Sequence, residues 1–225
     1  MAKGLIPIYY LNTGSCNGCD IEILAAVNCQ YKDVCFTYQV ARPQKAKIII
    51  TTGVLTSSSA KNTLSVFKNK KKNTKILAVG SCANSTGVFQ GGETVLGPID
   101  KYTKVSLYIA GCPPTPEAIL EGIKNLARLD IKIKKPLLSS SFRGKLKYFP
   151  SRCIGCLVCE EVCPAFAIKS QKTGEKLKLK FFQDKCIFCG LCQEKCPKGA
   201  IKLTKEWKLL EKERENLTIE GIKKI

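Results

Sequence analysis

Short, β-branched apolar runs at residues 5–11, 47–52, 75–79 and 105–110 predict strands buried on both faces. A run at 34–40 predicts a further strand. Between them, residues 20–27, 57–67 and 116–126 carry apolar side chains at helical spacing, clearest at Ile119, Leu120, Ile123 and Leu126. Asp20 and Glu22 fall in the first turn of one helix, where the dipole favours negative charge, and Pro116 stands at the start of another. Strand and helix alternate, which predicts an α/β fold with a doubly wound parallel sheet over residues 1–131. The Gly- and Thr-rich stretch 85–98 predicts a long loop, suited to covering a site or docking a partner.

Three of the predicted strands lead directly into cysteine. Cys16 and Cys19 follow the first, Cys82 follows Gly80, and Cys112 follows Gly111. Parallel strands bring their carboxyl ends to one sheet edge, where open α/β sheets bind ligands. The four thiols therefore converge, and thiolate is a soft anionic ligand for zinc or for an iron–sulfur cluster. The chain holds 14 cysteines, one methionine and no histidine, so any metal site is dominated by thiolate. Cys29 and Cys35 lack ligand-like neighbours and read as small buried hydrophobes.

The pattern changes after residue 131. Residues 132–149 are rich in lysine and serine and read as a linker or strap. Residues 150–204 then carry two copies of C-x₂-C-x₂-C-x₃-C-P: Cys153, Cys156, Cys159 and Cys163, then Cys186, Cys189, Cys192 and Cys196. Every cysteine recurs at one fixed offset, as do Ile168 and Ile201, so the unit is duplicated. The spacing is the signature of the bacterial two-cluster ferredoxin, a small α+β domain whose fourth cysteine ligates the other cluster. One [4Fe–4S] cluster is then assigned to Cys153, Cys156, Cys159 and Cys196, the other to Cys163, Cys186, Cys189 and Cys192. Amides of Gly18, Gly155 and Gly190 are candidate donors to thiolate sulfur. The charged tail 205–225, with Trp207, Leu209, Leu210 and Ile219, predicts a helix packed on this unit or on a partner.

The formal charge of +19 falls to roughly +13 once three four-thiolate clusters of about −2 each are bound. That excess suits an anionic membrane surface or an acidic protein. Lysines at 68–72, 132–135 and 176–180 read as solvated surface, and no nucleic-acid motif is present, so nucleic acid is not expected as a partner. No run approaches the length of a membrane span, and no signal peptide is expected, which points to a cytoplasmic protein with reduced thiols.

Residues 12–22, Gly80-Ser81-Cys82-Ala83, residues 97–100 and Gly111-Cys112-Pro113-Pro114 with Pro116 to Ile119 resemble the small subunit of membrane-bound energy-converting [NiFe] hydrogenases. The related complex I subunit that carries the terminal cluster shares the fold. The resemblance covers about residues 5–130 and implies a flavodoxin-like sheet in which Cys16, Cys19, Cys82 and Cys112 hold a proximal [4Fe–4S] cluster. It also implies a separate large subunit with the NiFe site, membrane subunits, and a place on the inner face of the cell membrane. The Cys16-x₂-Cys19 spacing is that of the hydrogenases, since the complex I subunit places its first two ligands adjacent. These small subunits usually end after the Gly-Cys-Pro-Pro helix, so the fused ferredoxin unit is a departure, similar to a subunit of deazaflavin-reducing hydrogenases.

The expected protein is an electron-transfer subunit with three [4Fe–4S] clusters, exchanging electrons with a soluble carrier such as ferredoxin. It contains no catalytic residues of its own. A complex I-like subunit delivering electrons to a quinone or another acceptor is the alternative. A regulatory or binding module built on structural zinc is the third reading.

Overall fold

The computed structural model describes residues 6–28, 36–38 and 42–224. Cys29 and Cys35 lie outside the described residues. The first unit contains β1 (Ile6–Asn12), α1 (Gly18–Asn28), β2 (Phe36–Tyr38), β3 (Ile48–Thr52), β4 (Leu55–Thr56), α2 (Ser57–Asn69), β5 (Lys75–Val79), α3 (Ser81–Ser85), β6 (Val95–Gly97), β7 (Leu107–Ile109) and α4 (Pro116–Ala127). The second contains β8 (Leu146–Tyr148), α5 (Val158–Glu161), β9 (Ile168–Thr173), β10 (Lys176–Phe182), α6 (Leu191–Glu194) and β11 (Ile201–Leu203). Two further strands, β12 (Leu210–Glu211) and β13 (Thr218–Lys224), close the chain.

The main sheet runs β12-β7-β5-β3-β1-β2, and every pair but β12–β7 is parallel. Taken in chain order, its parallel strands follow the flavodoxin-like arrangement 2-1-3-4-5. Successive side chains on a strand point to opposite faces, and β3 is apolar on both. Ile48 and Ile50 pack with Ile23, Ile119 and Ile123 under α1 and α4. Ile49 packs with Val66 and Phe67 of α2 on the other side. All three isoleucines are fully buried, each contributing about 1.5–3 kcal/mol of transfer free energy. The stretch 85–98, expected to be a loop throughout, includes β6, which pairs with β4 through Leu55–Gly97 and Thr56–Val95.

The second unit has a three-stranded antiparallel sheet, β13-β10-β9, and the two-stranded pair β11–β8. Strand β8 falls inside the stretch read from sequence as a linker, and its pairing to β11 makes that end part of the iron–sulfur unit.

Among the described residues the tail forms two strands joined by a short 3-10 turn, Arg214–Leu217, and not the expected helix, which corrects the sequence reading. Its apolar residues meet open strand edges instead: β12 adds antiparallel to β7, and β13 adds antiparallel to β10. An exposed edge offers a row of unpaired N–H and C=O groups, and a segment covering it gains ladder bonds that an isolated helix lacks. Leu209 and Leu217 are both buried, and Trp207 packs against the core beneath α4. The apolar core on the α2 side runs continuously into the second unit, from Ile49 and Ile76 to Leu146, Leu179 and Phe181.

Polar contacts lock the two units together. The Ser81 hydroxyl donates to the Cys186 carbonyl at 2.6 Å, and the Ser85 hydroxyl to the Asp184 carbonyl at 2.9 Å. From the tail, Arg214 pairs with Asp100 at 2.8 Å and donates to the Asn84 carbonyl at 3.1 Å. If the tail is a structural member of both units, Leu217→Ala lowers stability by about 2–5 kcal/mol, read from the denaturant midpoint. An unchanged midpoint would show that the tail is an appendage.

Candidate metal centres

The first thiol group forms at the carboxyl ends of β1, β5 and β7. Asn12, the last residue of β1, turns the chain: its side-chain oxygen accepts from the amides of Gly14 and Ser15, both at 2.9 Å. Its amide group donates to Asp20 at 2.9 Å, as does the Ser15 hydroxyl at 2.8 Å. The Thr52 hydroxyl, at the end of β3, reaches the other Asp20 oxygen at 2.9 Å. Asp20 therefore ties the Cys16–Cys19 loop to two strands, a positioning role. The neighbouring Glu22 carboxyl is pushed above its ordinary value by burial and by Glu117.

Gly80 has φ +88, and a Cβ placed on it would lie 2.5 Å from the Cys19 sulfur. Only glycine both adopts that backbone and leaves room for the thiol. The following residue, Ser81, opens α3, and its amide donates to the Gly111 carbonyl at 3.0 Å. This bond fixes the Cys82 loop to the Cys112 loop. Cys16 and Cys112 are exposed, and Cys19 and Cys82 are half-buried.

The thiols feel one another. Burial pushes the Cys19 thiol well up, and Cys82, Cys112 and Cys16 add repulsion. Cys82 is pushed up to about 12 by burial, then by Cys112 and Cys16. Cys112 rises through burial and the nearness of Cys16. Cys16, Cys19, Cys82 and Cys112 are thus near enough to repel one another as thiolates, and a backbone hydrogen bond at Cys82 offsets only part of the rise there. A cationic metal core would relieve that repulsion.

The second unit holds two cavities, and each contains one of the crossed cysteine sets. Cys153, Cys156, Cys159 and Cys196 line one, walled by Tyr148 and Leu179. Cys163, Cys186, Cys189 and Cys192 line the other, walled by Phe181 and Ile168. The Tyr148 and Phe181 rings lie 5.0 Å apart, so the two walls touch. Burial and neighbouring thiols push Cys159 up to about 11, and both Cys186 and Cys192 to about 12. For Cys186 the amide of Phe188 partly offsets that rise.

The duplication extends to the sulfur hydrogen bonds. Amides of Gly155 and Phe188 donate to Cys153 and Cys186 at 3.4 and 3.3 Å. Those of Ala167 and Ala200 donate to Cys163 and Cys196, both at 3.2 Å. Gly155 is a donor as expected, whereas in the second copy Phe188 takes the place assigned to Gly190. Gly190, with φ +90, instead matches Leu157 at φ 63, where the backbone turns into each short helix.

Among the described residues no three Cys, Asp, Glu or His side chains stand close enough to share one metal ion.

The Cys163–Cys192 cavity is the one that abuts the first site, because Ser81, beside Cys82, bonds the Cys186 carbonyl. Cys112 also shares a cleft with Ile187 and Phe188. The Cys153–Cys196 cavity is lined by residues of the second unit alone. Sequence reasoning missed Asn12, Ser81 and Arg214. For Arg214 there was a signal: it is the sole arginine in a tail whose other basic residues are lysines, and arginine favours planar, multiply bonded ion pairs.

A flavodoxin-like sheet with thiols at its carboxyl edge, joined to a duplicated cysteine unit, defines an iron–sulfur protein of the oxidoreductase type. Residues 16–126 match the family described as NADH ubiquinone oxidoreductase, 20 Kd subunit, and residues 152–200 match the 4Fe-4S dicluster domain. The chain belongs to the 20 kDa subunit family and binds [4Fe–4S] clusters. It is 36% identical over 117 residues to probable membrane-bound hydrogenase subunit mbhJ of Pyrococcus furiosus, covering 52% of this chain and 70% of that one. It is 35% identical over 129 residues to an NADH-quinone oxidoreductase subunit of Heliobacterium modesticaldum, covering 56% and 72%. Formate hydrogenlyase subunit 7 of Escherichia coli is 35% identical over 116 residues, with 51% of this chain and 46% of that protein covered.

The crowding at Gly80 gives a direct test. Gly80→Ala drives a methyl group into the Cys19 thiol and lowers the iron bound per chain. Gly174→Ala, where a Cβ meets nothing within 4 Å, strains a turn of φ +57 and leaves iron unchanged. Iron analysis of the two variants decides; equal iron in both removes Cys19 from the ligands.

Proposed function

We propose that this chain is the electron-transfer subunit of a membrane-bound [NiFe] hydrogenase, relaying electrons through three [4Fe–4S] clusters between a soluble carrier and a NiFe site in a separate large subunit. The supporting observation is the Ser81–Cys186 hydrogen bond, which joins the loop of Cys82 to the loop of Cys186 and so supports electron passage between the first unit and the second. One-electron transfer is the chemistry the clusters supply when bound. The chain's own residues hold the thiolates, fix their spacing and exclude water.

The ligands proposed are Cys16, Cys19, Cys82 and Cys112 for the proximal cluster, with the crossed sets Cys153–Cys159 plus Cys196 and Cys186–Cys192 plus Cys163 for the others. The large subunit would dock on the exposed Cys16 and Cys112 edge, where Ile21 on α1 is 65% exposed. Among the described residues no helix is long and apolar enough to cross a membrane. Attachment to the inner face of the cell membrane would therefore run through partner subunits. The spacing Cys16-x₂-Cys19 favours hydrogenase over the complex I branch. The likeness to NADH-quinone oxidoreductase subunits supports the second reading, delivery of electrons to a quinone or another acceptor.

Anaerobically prepared protein is expected to contain about twelve iron atoms per chain, four for each of three Cys₄-ligated clusters. A count nearer eight would remove one cluster from the series. The order of the series is tested on the assembled complex. Cys156→Ser is expected to cut carrier-linked turnover while hydrogen–deuterium exchange at the large subunit largely persists. Cys112→Ser is expected to damage both. Full carrier-linked turnover in the Cys156 variant would mean that electrons enter elsewhere.

A further inference from the structure

The outer face of the β13-β10-β9 sheet has a charge pattern that its fold does not need. Register places Lys176, Lys178 and Lys180 of β10 on this face, with Lys169 directly opposite Lys180 and Lys224 directly opposite Lys176. Like charges facing each other across strands destabilise a sheet. Glu220 relieves part of the repulsion, bonding Lys178 at 2.6 Å and Lys180 at 3.0 Å. Lys169 leans off the face toward Glu160 at 3.6 Å. Lys176 and Lys224 have no acidic partner among the described residues. Amid these lysines, Ile222 lies opposite Lys178 and is 58% exposed. Lysines at 176–180 that read from sequence as solvated surface thus form one flat, basic face with an apolar centre.

The inner side of the same sheet faces the cysteine cavities. Leu179 walls the Cys153–Cys196 cavity, and Phe181 and Ile168 wall the Cys163–Cys192 cavity. A body seated on the lysines is therefore separated from both cavities by a single sheet, about half the roughly 10 Å spacing of stacked sheets plus its side chains. A lipid surface gains nothing from that position, whereas a redox partner does.

We infer that this basic face, centred on Ile222, is the docking surface for an acidic electron-carrier protein. This rests on the electron-transfer reading above and names the chemistry of its soluble partner. In each encounter the carrier is oxidised by one electron and one cluster of this chain is reduced by one. The lysines supply steering and the isoleucine a desolvated contact.

The test uses the full chain with its clusters, a purified acidic bacterial-type ferredoxin, and the double variant Lys176→Gln, Lys224→Gln. The variant removes repulsion, so it is expected to fold at least as well as the parent. Calorimetric titration reads binding, and stopped-flow reads cluster reduction by the reduced ferredoxin. At low salt the variant is expected to bind and accept electrons about tenfold more weakly, with a flatter dependence on ionic strength. Raising salt from 0.01 to 0.1 M shortens the Debye length from about 30 to about 10 Å and should bring parent and variant together. Identical binding and salt dependence in parent and variant would overturn the docking site. So would lysine-dependent binding to phosphatidylglycerol vesicles with ferredoxin binding unchanged, which would make the face a membrane contact. Dithionite reduction of the clusters separates the two failures. Clusters that accept electrons from dithionite but ignore the lysine changes refute only the docking face, and clusters that cannot be reduced at all refute the relay.

Discussion

Thiolates gathered in a half-buried space repel one another, and the fold carries that cost at three places. Burial and mutual charge hold Cys19, Cys82, Cys112, Cys159, Cys186 and Cys192 above the ordinary thiol value. Backbone amides offset part of it, donating to Cys153, Cys163, Cys186 and Cys196 and easing the rise at Cys82, Cys159 and Cys192. A bound metal core would stabilise the ionised thiols, which would couple metal binding to the folding of these loops. Much else in the chain serves to hold the loops while they bear that strain.

The two units meet this demand differently. In the first, Cys16, Cys19, Cys82 and Cys112 come from three loops far apart in sequence, so rigidity has to be supplied by the sheet. Parallel strands buried on both faces end in line, and Asn12, Asp20 and Thr52 tie the Cys16–Cys19 loop to them. In the second, ligands are close in sequence, and the backbone itself wraps each site through left-handed residues at Gly155, Leu157, Phe188 and Gly190. The first design places two thiols, Cys16 and Cys112, at an exposed edge. The second encloses its thiols in cavities with aromatic and aliphatic walls.

Joining them is a matter of register between rigid bodies. The bond from Ser81 to Cys186 runs between residues adjacent to, or themselves, proposed ligands, so a shift of one unit moves one thiol group relative to the other. The tail secures this seat by adding a strand to each sheet, with Arg214 bridging Asp100 and Asp184 between them. A fused iron–sulfur unit locked in this way keeps a fixed separation that two free proteins would have to find by diffusion.

Much of this was legible in the chain. The period of apolar residues gave the strands β1, β3, β5 and β7 and the helices between them, because burial on both faces leaves an unbroken β-branched run such as Ile48-Ile49-Ile50. The Cys-x₂-Cys-x₂-Cys-x₃-Cys spacing predicted the crossed cysteine sets, and each set lines one cavity. The tail was misread: Leu209, Leu210 and Ile219 suit a helix or a strand equally well, and the choice fell to the open edges of β7 and β10. Nor could spacing say which cavity abuts the Cys82 loop, or that Lys176 and Lys224 stand face to face. Ligand spacing and hydropathy are properties of neighbours in the chain, so sequence alone determined the elements and the thiol sets. Edge pairing, cross-strand register and the seating of the two units depend on residues far apart in the chain, 105 positions for Ser81 and Cys186, and only the tertiary structure decided them.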